Sequence, residues 1–170
     1  EEPAGEDTTY LHRLEDPLPR AYVVHRAEVR RGHEALERLA DAAFEPLETV
    51  ILEEEPALSL PGGAGVAEST ARIVSYEPSR VEVDVDAAGD GILVLSEVFY
   101  PGWKAYVDGE PTEILRANHA LRAVEVERGP QAVELVYDPL SFKLGVLFSM
   151  VTVLSLVSSS AWAAVRRNTG

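Results

Sequence analysis

Between Leu144 and Val165 the chain runs for 22 residues without a charged side chain. Wound as an α-helix at 1.5 Å per residue, such a segment is ~33 Å long, enough to cross a hydrocarbon core of about 30 Å. Only serine and threonine interrupt its apolar residues, whereas a helix in the core of so small a domain would carry a polar stripe. The segment therefore predicts one C-terminal transmembrane helix, residues 141–165. Lys143 precedes it and Arg166 and Arg167 follow it. That excess of positive charge puts the short tail, residues 166–170, on the cytoplasmic side, with Trp162 as an interfacial anchor near that face.

All 29 acidic residues precede Lys143, together with only 12 of the 15 basic ones. The part before the span is thus a strongly acidic domain, consistent with a position outside the membrane. A formal charge of -14 excludes nucleic acid as a partner, because phosphate recognition needs a Lys/Arg surface. The absence of cysteine removes disulfides, thiolate nucleophiles and Cys-based metal centres. The chain begins with Glu1 and carries no leader-like stretch, so it is expected to be cut from a longer precursor. Its expected partner is membrane lipid.

Residues 1–17 read as a linker and 18–138 as a β-rich domain. After Pro17-Leu18-Pro19, the stretch Arg20 to Arg31 has strand composition. Beyond Gly32, the spacing of Leu36, Leu39, Ala40 and Ala43 predicts a short amphipathic helix packed by that face and closed at Glu45-Pro46. Thr49 to Glu53 follows as a second strand, giving a strand-helix-strand element over 18–56. Pro61-Gly62-Gly63-Ala64-Gly65 is a linker, after which the pattern is purely β over 66–138. Ala71 to Tyr76 begins it; Val81 to Asp86 alternates valine with carboxylate, one face dry and one wet. Gly91 to Ser96 is apolar on both faces, as a strand covered twice must be. Asp108-Gly109 predicts a tight hairpin between Ala105-Tyr106-Val107 and Thr112 to Leu115. Leu121 to Glu127 and Ala132 to Tyr137 complete the set, with Gly129-Pro130 turning the chain between them. Short strands without intervening helices predict a mainly β fold, an antiparallel β-sandwich or jelly-roll-like domain.

The chemistry-bearing side chains do not converge. Glu82, Asp84 and Asp86 lie in a row on one exposed strand face, unlike a carboxylate pair flanking a scissile bond. The oxygens of Asp84, Asp86 and Asp90 match a calcium loop only loosely, and His12, His25, His33 and His119 lack zinc-ligand spacing. No nucleophile elbow, Walker loop or dinucleotide fingerprint occurs. The expectation is no catalytic residue, no metal and no cofactor in this segment. Trp103, just after Pro101-Gly102, is the most informative single residue. An aromatic face there stacks on a sugar ring or closes the sandwich core, the latter being the commoner role. Tyr100, Trp103, Lys104, Asn118 and His119 form the candidate glycan-contact set.

Phe99-Tyr100-Pro101-Gly102-Trp103-Lys104-Ala105-Tyr106-Val107-Asp108-Gly109, followed by Leu115 to Val124, resembles the C-terminal extracytoplasmic region of the YfhO-like bacterial membrane proteins. Leu18 to Val24, the helix with Ala35-Leu36-Glu37-Arg38-Leu39-Ala40, and Val136-Tyr137-Asp138-Pro139 are similar as well. The resemblance implies a multi-spanning glycosyltransferase of the GT-C type at the bacterial cell membrane that uses a polyprenyl-linked sugar on the outer face, with the remaining transmembrane part of the longer chain as a further partner of this segment. It also implies that the catalytic acid lies in an early external loop absent from this segment, so that no residue here inherits a catalytic role. The segment is then an accessory domain that positions or binds a glycan or lipid-linked sugar. The alternative of a different class is a noncatalytic, membrane-anchored module for protein interaction or assembly.

Overall fold

The computed structural model describes residues 17–62 and 68–168, and side chains throughout these except at 160, 161 and 163–168. Residues 1–16 of the expected linker, with His12, the centre of the glycine cluster and the side chains of Arg166 and Arg167 lie outside the described part. Eleven strands form two sheets among the described residues: β1 (Ala21–Val24), β2 (Ala27–Val29), β3 (Val50–Leu52), β4 (Thr70–Glu77), β5 (Arg80–Ala87), β6 (Gly91–Val98), β7 (Trp103–Val107), β8 (Glu110–Thr112), β9 (Leu115–Ala117), β10 (Leu121–Val126) and β11 (Gly129–Tyr137). One sheet has the order β1-β6-β10-β9-β3-β2, the other β4-β5-β11-β7-β8. Every pairing is antiparallel except β2 with β3, which flank helix α1 (Gly32–Leu39).

The alternation in Val81-Glu82-Val83-Asp84-Val85-Asp86 does what its period requires. Val81, Val83 and Val85 are buried between the sheets beside Leu93, Leu95, Val124, Val133 and Leu135. The carboxylates face out, where Arg72 holds Asp84 at 2.9 Å and Arg80 holds Glu82 at 2.8 Å. β6 is covered twice. Leu93 and Leu95 enter the inter-sheet core, while Ile92 and Val94 enter a second cluster with Tyr22, Val50, Leu52 and Ala123. That second cluster needs its sheet to curl. Tyr22 on β1 hydrogen-bonds Asn118, whose Oδ1 accepts the Ile51 N–H of β3 at 2.9 Å, although three strands separate β1 from β3.

Four local expectations are corrected. The stretch Arg20 to Arg31 is two strands, because the chain breaks at His25 and Arg26. Helix α1 ends at Leu39 and buries Ala35, leaving Leu36 44% exposed and Ala43 outside the helix. The reason is electrostatic: Arg38 hydrogen-bonds both oxygens of Glu28 on β2, turning the Ala35–Arg38 side inward. After the hairpin, Glu110–Thr112 stays beside β7 while Leu115–Ala117 crosses to the other sheet. Likewise Gly129 and Pro130 are already in β11, and β10 and β11 belong to opposite sheets. The hairpin itself has Asp108 and Gly109 both at positive φ (50° and 85°), the two-residue turn that matches strand twist.

Helix α2 (Leu140–Asn168) leaves the sandwich after β11. Its segment Leu140–Ser159 has mean hydropathy 2.0 and no buried residue, so it is no core helix. The hydroxyls of Ser149, Thr152, Ser155 and Ser159 each donate to the carbonyl four residues earlier, at 2.7–2.9 Å. Such internal satisfaction lets hydroxyl-bearing residues sit in hydrocarbon.

Candidate functional site at the membrane-proximal joint

Strand parity brings a polar and aromatic group to one end of the inter-sheet core. Trp103 follows the side of β7 that buries Ala105, and Tyr137 the side of β11 that buries Val133 and Leu135. Arg122 follows the side of β10 that buries Val124 and Val126. Opposite Arg122 the register slips, so that Arg122 pairs with Leu95 and Leu121 with Val98, and Ser96 and Glu97 form a bulge. The bulge delivers Glu97 to the Arg122 guanidinium. Arg122 is only 3% exposed, and its guanidinium carbon lies 4.0 Å from the Trp103 ring centroid. Trp103 in turn lies 5.4 Å from the Tyr137 ring, and Tyr100 lies 6.4 Å from it. Burial pulls the Arg122 pKa below its ordinary value. Its Nε and Nη1, and Oε1 of Glu97, are buried without a partner in the structure.

The Pro101-Gly102 loop is fastened to the start of α2. Gly102 has φ of 101°, and a Cβ there would sit 3.0 Å from both Pro139 Cβ and the Tyr137 ring, so both its conformation and its contact require glycine. The Asp138 N–H donates to the Gly102 carbonyl at 2.7 Å. The Asp138 carboxylate receives Lys104 from β7 and Lys143 from α2, each at 2.7 Å on the same oxygen. Hydrogen bonds from Lys104 and then Lys143 hold the Asp138 pKa below the usual carboxylate range, and Asp138 raises that of Lys104.

Of the five sequence-predicted contact residues, Tyr100, Trp103 and Lys104 come together around a cleft of about 280 Å³ that Phe99, Pro111 and Ile114 also line. Asn118 and His119 do not line it. Both have positive φ (46° and 69°) in the turn between β9 and β10, where the Asn118 side chain joins Ile51 and Tyr22. Tyr22 has its pKa raised by burial, partly offset by the Asn118 hydrogen bond. His119 keeps a buried, unpartnered Nδ1. The other two histidines of the described part serve locally: His25 is held between the Asp90 carbonyl and Ser69 Oγ at 2.8 Å each, and His33 pairs with Glu37 on α1. Among the described residues no group of three His, Asp or Glu side chains comes together as a metal site. A larger hollow of about 660 Å³ lies between the edge strands β1 and β4, away from the aromatic group.

Sequence reasoning missed Glu97, Arg122, Tyr137, Asp138 and Lys143. For Arg122 and Tyr137 a signal existed, the parity they share with buried neighbours on their own strands.

The segments that converge here, Phe99 to Lys104 and Tyr137 to Pro139, fall within the stretch that matches known proteins. A family model described as bacterial membrane protein YfhO matches residues 64–149. The uncharacterized protein YfhO of Bacillus subtilis (strain 168) is 24% identical over 84 residues, which are 49% of this chain and 10% of that protein. The match thus spans about a tenth of the relative's length. No solved structure matches the chain. With the family model covering half of the residues, a two-sheet domain ending in an apolar helix, and the joint between them inside the matched stretch, the chain belongs to the YfhO family of bacterial membrane proteins.

Proposed function

We propose that the chain is the C-terminal accessory domain of a multi-spanning glycosyltransferase of the GT-C type. On this reading it lies on the extracytoplasmic side and holds a glycan or a polyprenyl-linked sugar beside the membrane. The observation that carries the reading is the cleft of Tyr100, Trp103 and Lys104, which opens next to the first turn of an apolar helix. Aromatic faces stack on sugar rings, and an ammonium supplies hydrogen bonds to hydroxyl or phosphate oxygens. Among the described residues no acid and base converge on the cleft, and on this reading the chemical step belongs to another part of the longer protein.

The test is sugar transfer from a polyprenyl-linked donor by the full-length protein carrying Tyr100→Ala. Tyr100 is 60% exposed, so the variant keeps its fold, as an unchanged melting midpoint verifies. Loss of transfer with normal membrane insertion is the expected outcome; full activity defeats the reading. A noncatalytic interaction module is the second reading, favoured by β4, an edge strand that leaves Val74 and Tyr76 43% and 51% exposed. Full activity of the Tyr100 variant, with loss of a co-purifying protein after a Tyr76 substitution, selects that second reading.

A further inference from the structure

Tyr100 is exposed although its ring lies 6.4 Å from that of Tyr137, and it sits on a loop welded to the root of α2. The weld fixes its height. Gly102 touches Pro139, and Leu140 begins the apolar segment. The side chains around this root are exposed: Tyr100 60%, Leu140 69% and Phe142 70%. The two lysines nearby share the single carboxylate of Asp138, which leaves this end locally cationic on an otherwise acidic domain. Exposed tyrosine with apolar and lysine neighbours, at the level where a membrane helix begins, is the composition of an interfacial belt. Lysine stems lie along apolar surface while their ammonium groups reach phosphate.

We infer that the Tyr100-Pro101 loop is a second membrane contact. It dips into the headgroup and upper acyl layer beside α2, so that the domain rests on the bilayer and the 280 Å³ cleft opens at headgroup depth. The occupant of this surface is lipid, argued from its continuity with the span and from the cationic pair at its rim. The inference rests on α2 spanning the membrane, and it deepens the proposed function by giving the cleft access to a ligand whose sugar is carried on a lipid.

The chain has no cysteine, so single introduced thiols take a nitroxide cleanly. Tyr100→Cys, Pro101→Cys, Asp84→Cys and Phe148→Cys are each labelled in the full chain and reconstituted in vesicles of phosphatidylcholine and phosphatidylglycerol. Collision with oxygen, which concentrates in lipid, is compared with collision with a water-soluble nickel chelate. Asp84→Cys, on the outer face of β5, is the aqueous reference, and Phe148→Cys reports whether α2 spans. The expected ratio for Tyr100→Cys and Pro101→Cys lies between the two, shifted towards lipid. Ratios equal to that of Asp84→Cys, while Phe148→Cys reads as lipid, overturn the contact and leave the span intact. Shielding from both reagents overturns it too, because protein then covers the loop. An aqueous reading at Phe148→Cys removes the span and the inference with it.

Discussion

Arg122 poses a problem of energy at the scale of one residue. A guanidinium 3% exposed with two unpartnered nitrogens does not repay its desolvation through a single carboxylate, even with the added attraction of the Trp103 face. Breaking such a pair on one side leaves the other charge stranded, which costs about 3–5 kcal/mol. Replacing both charges by apolar groups of similar volume is neutral or stabilising by about 1–4 kcal/mol. Urea unfolding should therefore rank Arg122→Met as strongly destabilised and Glu97→Leu/Arg122→Met as close to the parent. If the single variant is as stable as the parent, the guanidinium is not committed to the core, and the plug beneath Trp103 does not exist in solution. Neither Glu97 nor Arg122 stood out in the sequence, since a charged residue in a strand reads as a wet face by default. Only the run Arg122-Ala123-Val124-Glu125-Val126, with Arg122 in phase with two buried valines, placed the charge inside.

The joint between β11 and α2 depends on Asp138 in a different way. Its carboxylate is only part-buried and both lysines are exposed, so the ion pairs with Lys104 and Lys143 contribute little to global stability and instead fix how two elements meet. A carboxylate with a depressed folded-state pKa contributes in full above the ordinary carboxylate range. That contribution is lost as the pH falls through the depressed value. The joint is therefore held at neutral pH and loosens as the pH falls below the ordinary carboxylate range. Carboxyl NMR of the full chain in detergent should show Asp138 titrating below the ordinary aspartate range. Lys104→Ala should raise that midpoint, and so should Lys143→Ala. An ordinary midpoint in the parent chain would mean that neither lysine is held there. The elements themselves were legible where period and burial agree, as in β5 and β6, whose valines and leucines occupy the faces that alternation assigns. Helix α1 was legible as a helix but not in its buried face. The apolar spacing of Leu36, Leu39, Ala40 and Ala43 points to a different face from Ala35, and the Arg38–Glu28 contact on the buried side joins residues ten apart in sequence.

For the molecule as a whole, the two-sheet architecture and the closing helix followed from the sequence, because strand alternation and an uncharged run of 22 residues are local signals. What was not legible is the meeting of Phe99 to Lys104 with Tyr137 to Pro139, which depends on β7 pairing with β11. That meeting decides where the domain ends in energetic terms. No described side chain of α2 belongs to either core cluster, so the sandwich is expected to fold without the helix. It does need Tyr137, whose ring packs against Trp103, and Asp138, whose N–H binds the Gly102 carbonyl. A chain cut after Pro139 should be soluble without detergent and keep the cooperative unfolding of the sandwich. A chain cut after Val136 loses the aromatic contact, the burial of one tyrosine face and the carbonyl partner of the loop. Together these cost roughly 2–4 kcal/mol, given about 0.5–1.5 for an aromatic pair and about 1–3 for an unsatisfied polar group. Denaturant midpoints of the two truncations, measured side by side, separate these expectations. Equal stability would show that the Pro-Gly-Trp loop holds its shape without the helix root, and that the joint is a contact between two finished parts and not a piece of the domain's own fold.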